Sequence, residues 1–202
     1  MNPLALAVIH DAKNSLAEVI LRLEARGDCQ LEITSMLRAA NSLTNLLLWH
    51  RQQAGDMRIS INSASPTDLL NELVAEARPY FAHLQIDCDT SLAPVYWFYD
   101  AAYLQLALAN ALHNACRFAK TKVSITVAQV EKQLVFTVRD DGDGYSDAML
   151  AQQPQLAAVT QHGTGLGLAL ASAIAHMHSN QGVHGSVRLY NAGGAVFELT
   201  LP

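Results

Sequence analysis

Apolar residues in the first quarter of the chain recur at alternating intervals of four and three. Ala5, Ile9, Ala12, Leu16, Val19 and Leu23 form one series; Ile33, Met36, Ala40, Leu43, Leu47 and His50 form a second. This is the seam spacing of helices packed in coiled-coil fashion. It predicts a helix from Asn2 to about Arg26 and another ending before the polar R-Q-Q-A-G-D stretch, with Gly27-Asp28 breaking the chain between them. A lone antiparallel helical hairpin leaves each seam partly uncovered. The pattern therefore predicts a homodimer whose paired hairpins form a four-helix bundle.

After Gly55 the periodicity changes. M-R-I-S-I-N alternates like a strand, and Ser65 followed by Pro66 has the form of an N-cap and a first helical position. A strand-like Q-I-D-C-D-T precedes a helix expected from about Asp100 to Phe118. V-S-I-T-V-A and Q-L-V-F-T-V then alternate on either side of a turn-like V-E-K. A further helix is expected from Leu166 to His178, and S-V-R-L-Y and V-F-E-L-T-L close the chain as a hairpin around N-A-G-G. The expectation is an α+β chain with a boundary near Asp56: a helical hairpin over 1–56, then a two-layer α/β sandwich with a mixed sheet over 57–202.

Composition narrows the class of partners. The chain has 202 residues, half of them apolar, enough for a real core. A net charge of −5 with scattered Lys and Arg gives no footprint for nucleic acid. Cys29, Cys88 and Cys116 lack the pairing of a disulfide framework, which suits a reducing compartment. The N-terminal apolar run is too short for a signal peptide, and no segment reaches the roughly 18 apolar residues needed to span a membrane. A soluble cytoplasmic protein without membrane insertion is expected.

Three constellations carry candidate chemistry. D-D-G-D-G, from Asp140 to Gly144, follows a predicted strand. Gly142 and Gly144 free the backbone for a sharp turn, and a carboxylate at a strand end can accept a hydrogen bond from an exocyclic amine; a plain acidic loop is the alternative. H-G-T-G-L-G has Gly163, Gly165 and Gly167 opening a helix, where backbone N–H groups and the helix dipole suit phosphate; a tight helix entry is the alternative. It is neither a Walker loop nor a dinucleotide fingerprint. In N-A-L-H-N-A-C-R-F, Asn110 and Asn114 share a helix face with Arg117 nearby. Amide oxygens can complete an Mg²⁺ shell between phosphates and Arg117 can neutralise charge, or all three can be ordinary surface.

The order of these motifs resembles the ATP-binding catalytic domain of sensor histidine kinases, in the superfamily that also holds Hsp90, gyrase B-type ATPases and MutL. The resemblance spans nearly all of the chain after Asp56, including Y-D-A-A-Y-L-Q-L-A-L-A-N and the closing A-G-G-A-V-F-E-L-T-L-P. It implies that Asp140 recognises adenine, that Asn114 holds Mg²⁺ with Asn110 nearby, and that Gly142, Gly144, Gly163, Gly165 and Gly167 shape the nucleotide pocket and its lid.

H-D-A-K-N, from His10 to Asn14, resembles the phosphoacceptor box of kinase dimerisation domains. His10 lies one position from the seam residue Ile9 and should face outward. A neutral imidazole is the required nucleophile, and Asp11 can accept its other ring N–H. Asn14, one turn on, can orient a water toward a phosphoaspartate; in the family that residue supports phosphatase activity. The implied function is autophosphorylation of His10 from Mg-ATP and transfer to an aspartate of a separate response-regulator receiver domain, with input from a separate sensor protein. An ATP-independent histidine phosphotransferase and a non-enzymatic docking module are the rivals. The chain departs from the family in three places: Ser15 stands where proline often kinks the helix, Arg117 where lysine is usual, and the lid after Gly144 lacks an obvious phenylalanine box. His176 and His178 lack further ligands at metal-binding spacing and are read as structural.

Overall fold

The computed structural model describes residues 3–26, 29–151 and 166–202. The chain divides into two compact units: described residues up to Arg58 belong to the first, and those from Ile59 to Ala151 and from Gly167 to Pro202 to the second. In the first, α1 (Pro3–Glu24) and α2 (Gln30–Gln53) pack together as a hairpin. Ile33 is buried as the second seam predicts, whereas the seam on α1 is shifted. Ile20, outside the expected series, is buried; Ala12 and Val19 are exposed, and Ile9, Leu16 and Leu23 are half-buried. Ile20 lies four residues after Leu16 and three before Leu23, so it centres the same helical stripe.

The second unit is α+β, as expected. Its elements run β1 (Asn62–Ala64), α3 (Pro66–Ala77), a 3₁₀ turn, β2 (Gln85–Leu92), β3 (Trp97–Tyr99), α4 (Ala101–Phe118), β4 (Lys122–Val130) and β5 (Gln133–Asp140). They continue with α5 (Asp147–Ala151), α6 (Leu166–Met177), β6 (Ser179–Asn180), β7 (Val183–His184), β8 (Ser186–Asn191) and β9 (Ala195–Leu201). A five-stranded sheet of order β2-β4-β5-β9-β8 is mixed, with β2 and β4 parallel and the other neighbours antiparallel. M-R-I-S-I-N does not form the strand its alternation suggests. Pairing begins only at Asn62, where Asn62–Ala64 lie opposite Trp97–Tyr99, because a strand needs a partner edge as well as a pattern.

Alternate residues of the central strands meet the helical layer. Val123, Ile125 and Val127 of β4 and Leu134, Phe136 and Val138 of β5 are buried together with Leu70 and Leu73 of α3, Leu104, Leu108 and Leu112 of α4, and Leu170 and Ile174 of α6. Ser65 caps α3, its Oγ accepting the Asp68 N–H at 3.2 Å, with Pro66 in the first helical position. Asp100 caps α4: its Oδ1 accepts the Tyr103 N–H at 3.0 Å and its Oδ2 the Ser60 N–H at 2.7 Å. These caps fix where α3 and α4 enter the helical layer. Among the described residues, no helix is long and apolar enough to cross a membrane.

Candidate functional site

Helix α4 buries one stripe, Leu104, Ala107, Leu108, Ala111, Leu112, Ala115 and Cys116. Asn110, Asn114 and Arg117, at intervals of four and three, follow a different stripe. Asn110 is half-buried, Asn114 and Arg117 are exposed, and the Arg117 guanidinium sits 5.0 Å over the Phe118 ring. The sequence-predicted amides and the cation thus share a helical face that the core does not consume.

The end of α4 meets the glycine turn that follows β5. A Cβ on Gly142 would stand 2.3 Å from the Phe118 carbonyl oxygen, so the two backbones approach to a distance only glycine permits. Asp141 fastens the same junction. Its carboxylate accepts the Lys120 N–H at 2.7 Å, the Thr121 N–H at 3.0 Å and the Thr121 hydroxyl at 2.5 Å. The Thr121 hydroxyl and backbone bonds hold this carboxyl well below the usual range. Lys120 also pairs with Asp143 at 2.6 Å.

Asp140 is buried at the end of β5. Its Oδ1 accepts two N–H groups, from Gly142 at 2.8 Å and from Ala195 at 3.1 Å. Two neighbours register its charge. Burial and the Asp140 carboxylate push the Cys116 thiol up to about 12, and the same two causes raise the Tyr145 phenol. A buried carboxylate with both bonds on one oxygen, beside the end of α4 and flanked by Gly142 and Gly144, is chemically suited to read an amine-bearing base. Amide oxygens at Asn110 and Asn114 suit a hard cation largely coordinated by phosphate, and among the described residues no cluster of three or more His, Cys, Asp or Glu offers an all-protein metal site.

Gly167 lies in the first turn of α6, while Gly163, Gly165 and the lid between Gly144 and Gly163 fall wholly or largely outside the described residues. On α1, His10 and Asp11 are exposed, with Nδ1 and Oδ1 3.7 Å apart, longer than a hydrogen bond. The nearer neighbour of His10 Nδ1 is the amide nitrogen of Asn14, at 3.3 Å. A groove of about 840 Å³ lined by Tyr96, Trp97, Phe98, Lys132 and His178 lies at the other end of β5 and contains none of the predicted site residues. His178, read as structural, is buried: its Nδ1 lies 2.7 Å from the Ile174 carbonyl and its Nε2 accepts the Asp100 N–H at 3.0 Å.

Sequence reasoning missed the β8–β9 turn as part of this site. N-A-G-G reads as a hairpin turn, yet Ala195 binds Asp140, Arg139 donates to the Ala192 carbonyl, and Asn191 holds Tyr145 by both backbone groups. Glycine pairs at a β-turn carry no local sign of what lies across from them.

Residues 99–202, just over half of the chain, match the family described as histidine kinase-, DNA gyrase B- and HSP90-like ATPase. The signal transduction histidine-protein kinase AfsQ2 of Streptomyces coelicolor is 29% identical over 179 residues, covering 84% of this chain and 32% of that protein. The sensor histidine kinase RppB of Synechocystis is 29% identical over 220 residues, covering 96% and 47%. The chain therefore spans less than half the length of either relative. Among solved structures, full-length ShkA in complex with AMPPNP superposes with a TM-score of 0.72 at 23% identity, covering all of this chain and 46% of that one. The nucleotide-free catalytic domain of the histidine kinase ThkA gives 0.63 at 18% identity, covering 71% and 98%. The chain belongs to the histidine kinase-, DNA gyrase B- and HSP90-like ATPase family, in the form found in the catalytic cores of sensor histidine kinases.

Proposed function

We propose that this chain is a two-component histidine kinase core that phosphorylates its own His10 from ATP and passes the phosphoryl group to an aspartate of a separate response regulator. The observation that supports it most is the convergence of the α4 terminus and the D-D-G-D-G turn on the buried Asp140. In this reading Asp140 accepts the exocyclic amine of adenine through Oδ2, its Oδ1 being committed to Gly142 and Ala195. Asn110, Asn114 and Arg117 face the phosphates, with Asn114 and then Asn110 holding Mg²⁺. When bound, that ion neutralises phosphate charge.

His10 supplies the nucleophile. With the proton on Nδ1, facing the Asp11 carboxylate and an Asn14 amide turned to present Oδ1 instead of its NH₂, the Nε2 lone pair is left to attack the γ-phosphorus in line with the departing ADP oxygen. Asp11 stabilises the positive charge that develops on the ring. Asn14 positions water for hydrolysis of the regulator's phosphoaspartate, giving the chain a phosphatase activity as well. Exposed Val8 and Val19, which share one face of α1, support a homodimer formed through the helical unit. The partners are cytoplasmic.

The test is incubation with γ-labelled ATP and Mg²⁺, followed by site mapping. Acid-labile, alkali-stable label on His10, abolished in His10→Gln with ATP affinity retained and reduced in Asn114→Ala together with Mg-dependent ATP binding, is the expected result. Label on another residue would remove His10 as acceptor, and absence of ATP binding would replace the kinase with an ATP-independent phosphotransferase.

A further inference from the structure

Asn191, the last residue of β8, has its side-chain amide against the backbone of a residue 46 positions earlier. Its Oδ1 accepts the Tyr145 N–H at 2.8 Å and its Nδ2 donates to the Tyr145 carbonyl at 2.9 Å. One amide satisfying both polar groups of one residue fixes that residue's backbone as a strand neighbour would. Gly144, just before, adopts φ +83°, and a Cβ there would stand 2.7 Å from Asn191 Oδ1. The absence of a side chain at 144 is what lets the amide lie flat against the loop.

The other end of the loop is held by the same turn. Ala195 donates to Asp140 Oδ1, and a Cβ on Gly194 would stand 1.9 Å from the Asp140 carbonyl oxygen. Residues 191–195 therefore grip the 140–145 loop at both ends.

We propose that Asn191 is a positioning residue for base selection: by clamping the Tyr145 backbone it holds the 140–145 loop, and with it the Asp140 carboxylate, in place and so sets the preference for adenine. Asn191 acts through the backbone of that loop. The proposal rests on Asp140 being the adenine reader.

The test uses the full chain and compares equilibrium binding of Mg-ATP with Mg-ITP, whose base carries a ring carbonyl in place of the exocyclic amine. The wild type prefers ATP. Asn191→Ala lowers that preference about tenfold, the order expected from loss of a buried hydrogen-bonded arrangement, with the change falling mainly on ATP. Asn191→Asp keeps an acceptor for the Tyr145 N–H, loses the donor to its carbonyl, and gives an intermediate preference; it carries the test if the alanine variant does not fold. Tyr145→Ala, which keeps both backbone groups that Asn191 holds, retains the preference. A preference retained in both Asn191 variants, or equal losses for ATP and ITP accompanying a lower melting temperature, overturns the proposal while leaving Asp140 as reader. A wild type that binds ATP and ITP alike overturns the Asp140 reading and this proposal with it.

Discussion

Gly194 lies so close over Asp140 that a Cβ on it would stand 1.9 Å from the Asp140 carbonyl oxygen. Its φ of +146° is also a conformation that side chains resist. Gly194→Ala is therefore expected to cost about 2 kcal/mol or more from backbone strain and displacement of β5. Urea unfolding measures that cost, and a loss below about 0.5 kcal/mol would show that the turn relaxes freely.

Asp141 predicts the shape of the acid limb. Its folded carboxyl titrates below its ordinary value of 3.8, chiefly through the Thr121 hydroxyl and backbone N–H. A depressed folded value means that the stabilisation is complete above the unfolded value and lost as pH falls through the folded one. The stability gap between wild type and Asp141→Asn should be constant above about pH 5 and close progressively below 3.8. A gap independent of pH down to acid unfolding would contradict the assignment.

The ring of His178 bridges two elements. A carbonyl oxygen can only accept, so Nδ1 carries the proton toward Ile174, and Nε2 is left to accept from the Asp100 N–H. The neutral ring with its proton on Nδ1 is the form this geometry requires. His178→Ala strands both backbone groups and opens a cavity, at an expected cost of about 2–4 kcal/mol. Denaturant unfolding checks it, and a loss under 1 kcal/mol would mean that the neighbours re-pair.

Tyr99 gives the opposite sign. It is fully buried, its hydroxyl has no hydrogen-bond partner among the described residues, and burial, with Asp68 and Glu72 adding to it, pushes the phenol up to about 12. Tyr99→Phe removes an unsatisfied polar group while keeping the ring, and should stabilise the chain by about 1 kcal/mol. A lower melting temperature in the variant would reveal a partner for the hydroxyl.

Legibility in the sequence followed the range of the interaction that had to be read. Ser65 and Pro66 announce α3 because a cap is a contact over three residues, and the spacing of Asn110, Asn114 and Arg117 is enough to put them on one helical face. The α+β class and the mixed sheet follow from the alternation in β4, β5 and β9. Two local patterns misled. M-R-I-S-I-N alternates without a partner edge, and the seam through Val19 passes beside the stripe that Ile20 centres. The contacts of Asn191 with Tyr145 and of Ala195 with Asp140 were illegible, since they join segments some fifty residues apart through backbone groups that carry no residue-specific signature.

Asp100 binds through three of its polar atoms at once: its N–H to His178, Oδ1 to Tyr103 and Oδ2 to the N–H of Ser60. Ser60 is the second residue of the second unit. Tension or torsion entering the chain at Ile59 is therefore not absorbed by a slack leader. It arrives within one residue at the first turn of α4, so the helix bearing Asn110 and Asn114 has a mechanical handle at the point where its unit begins.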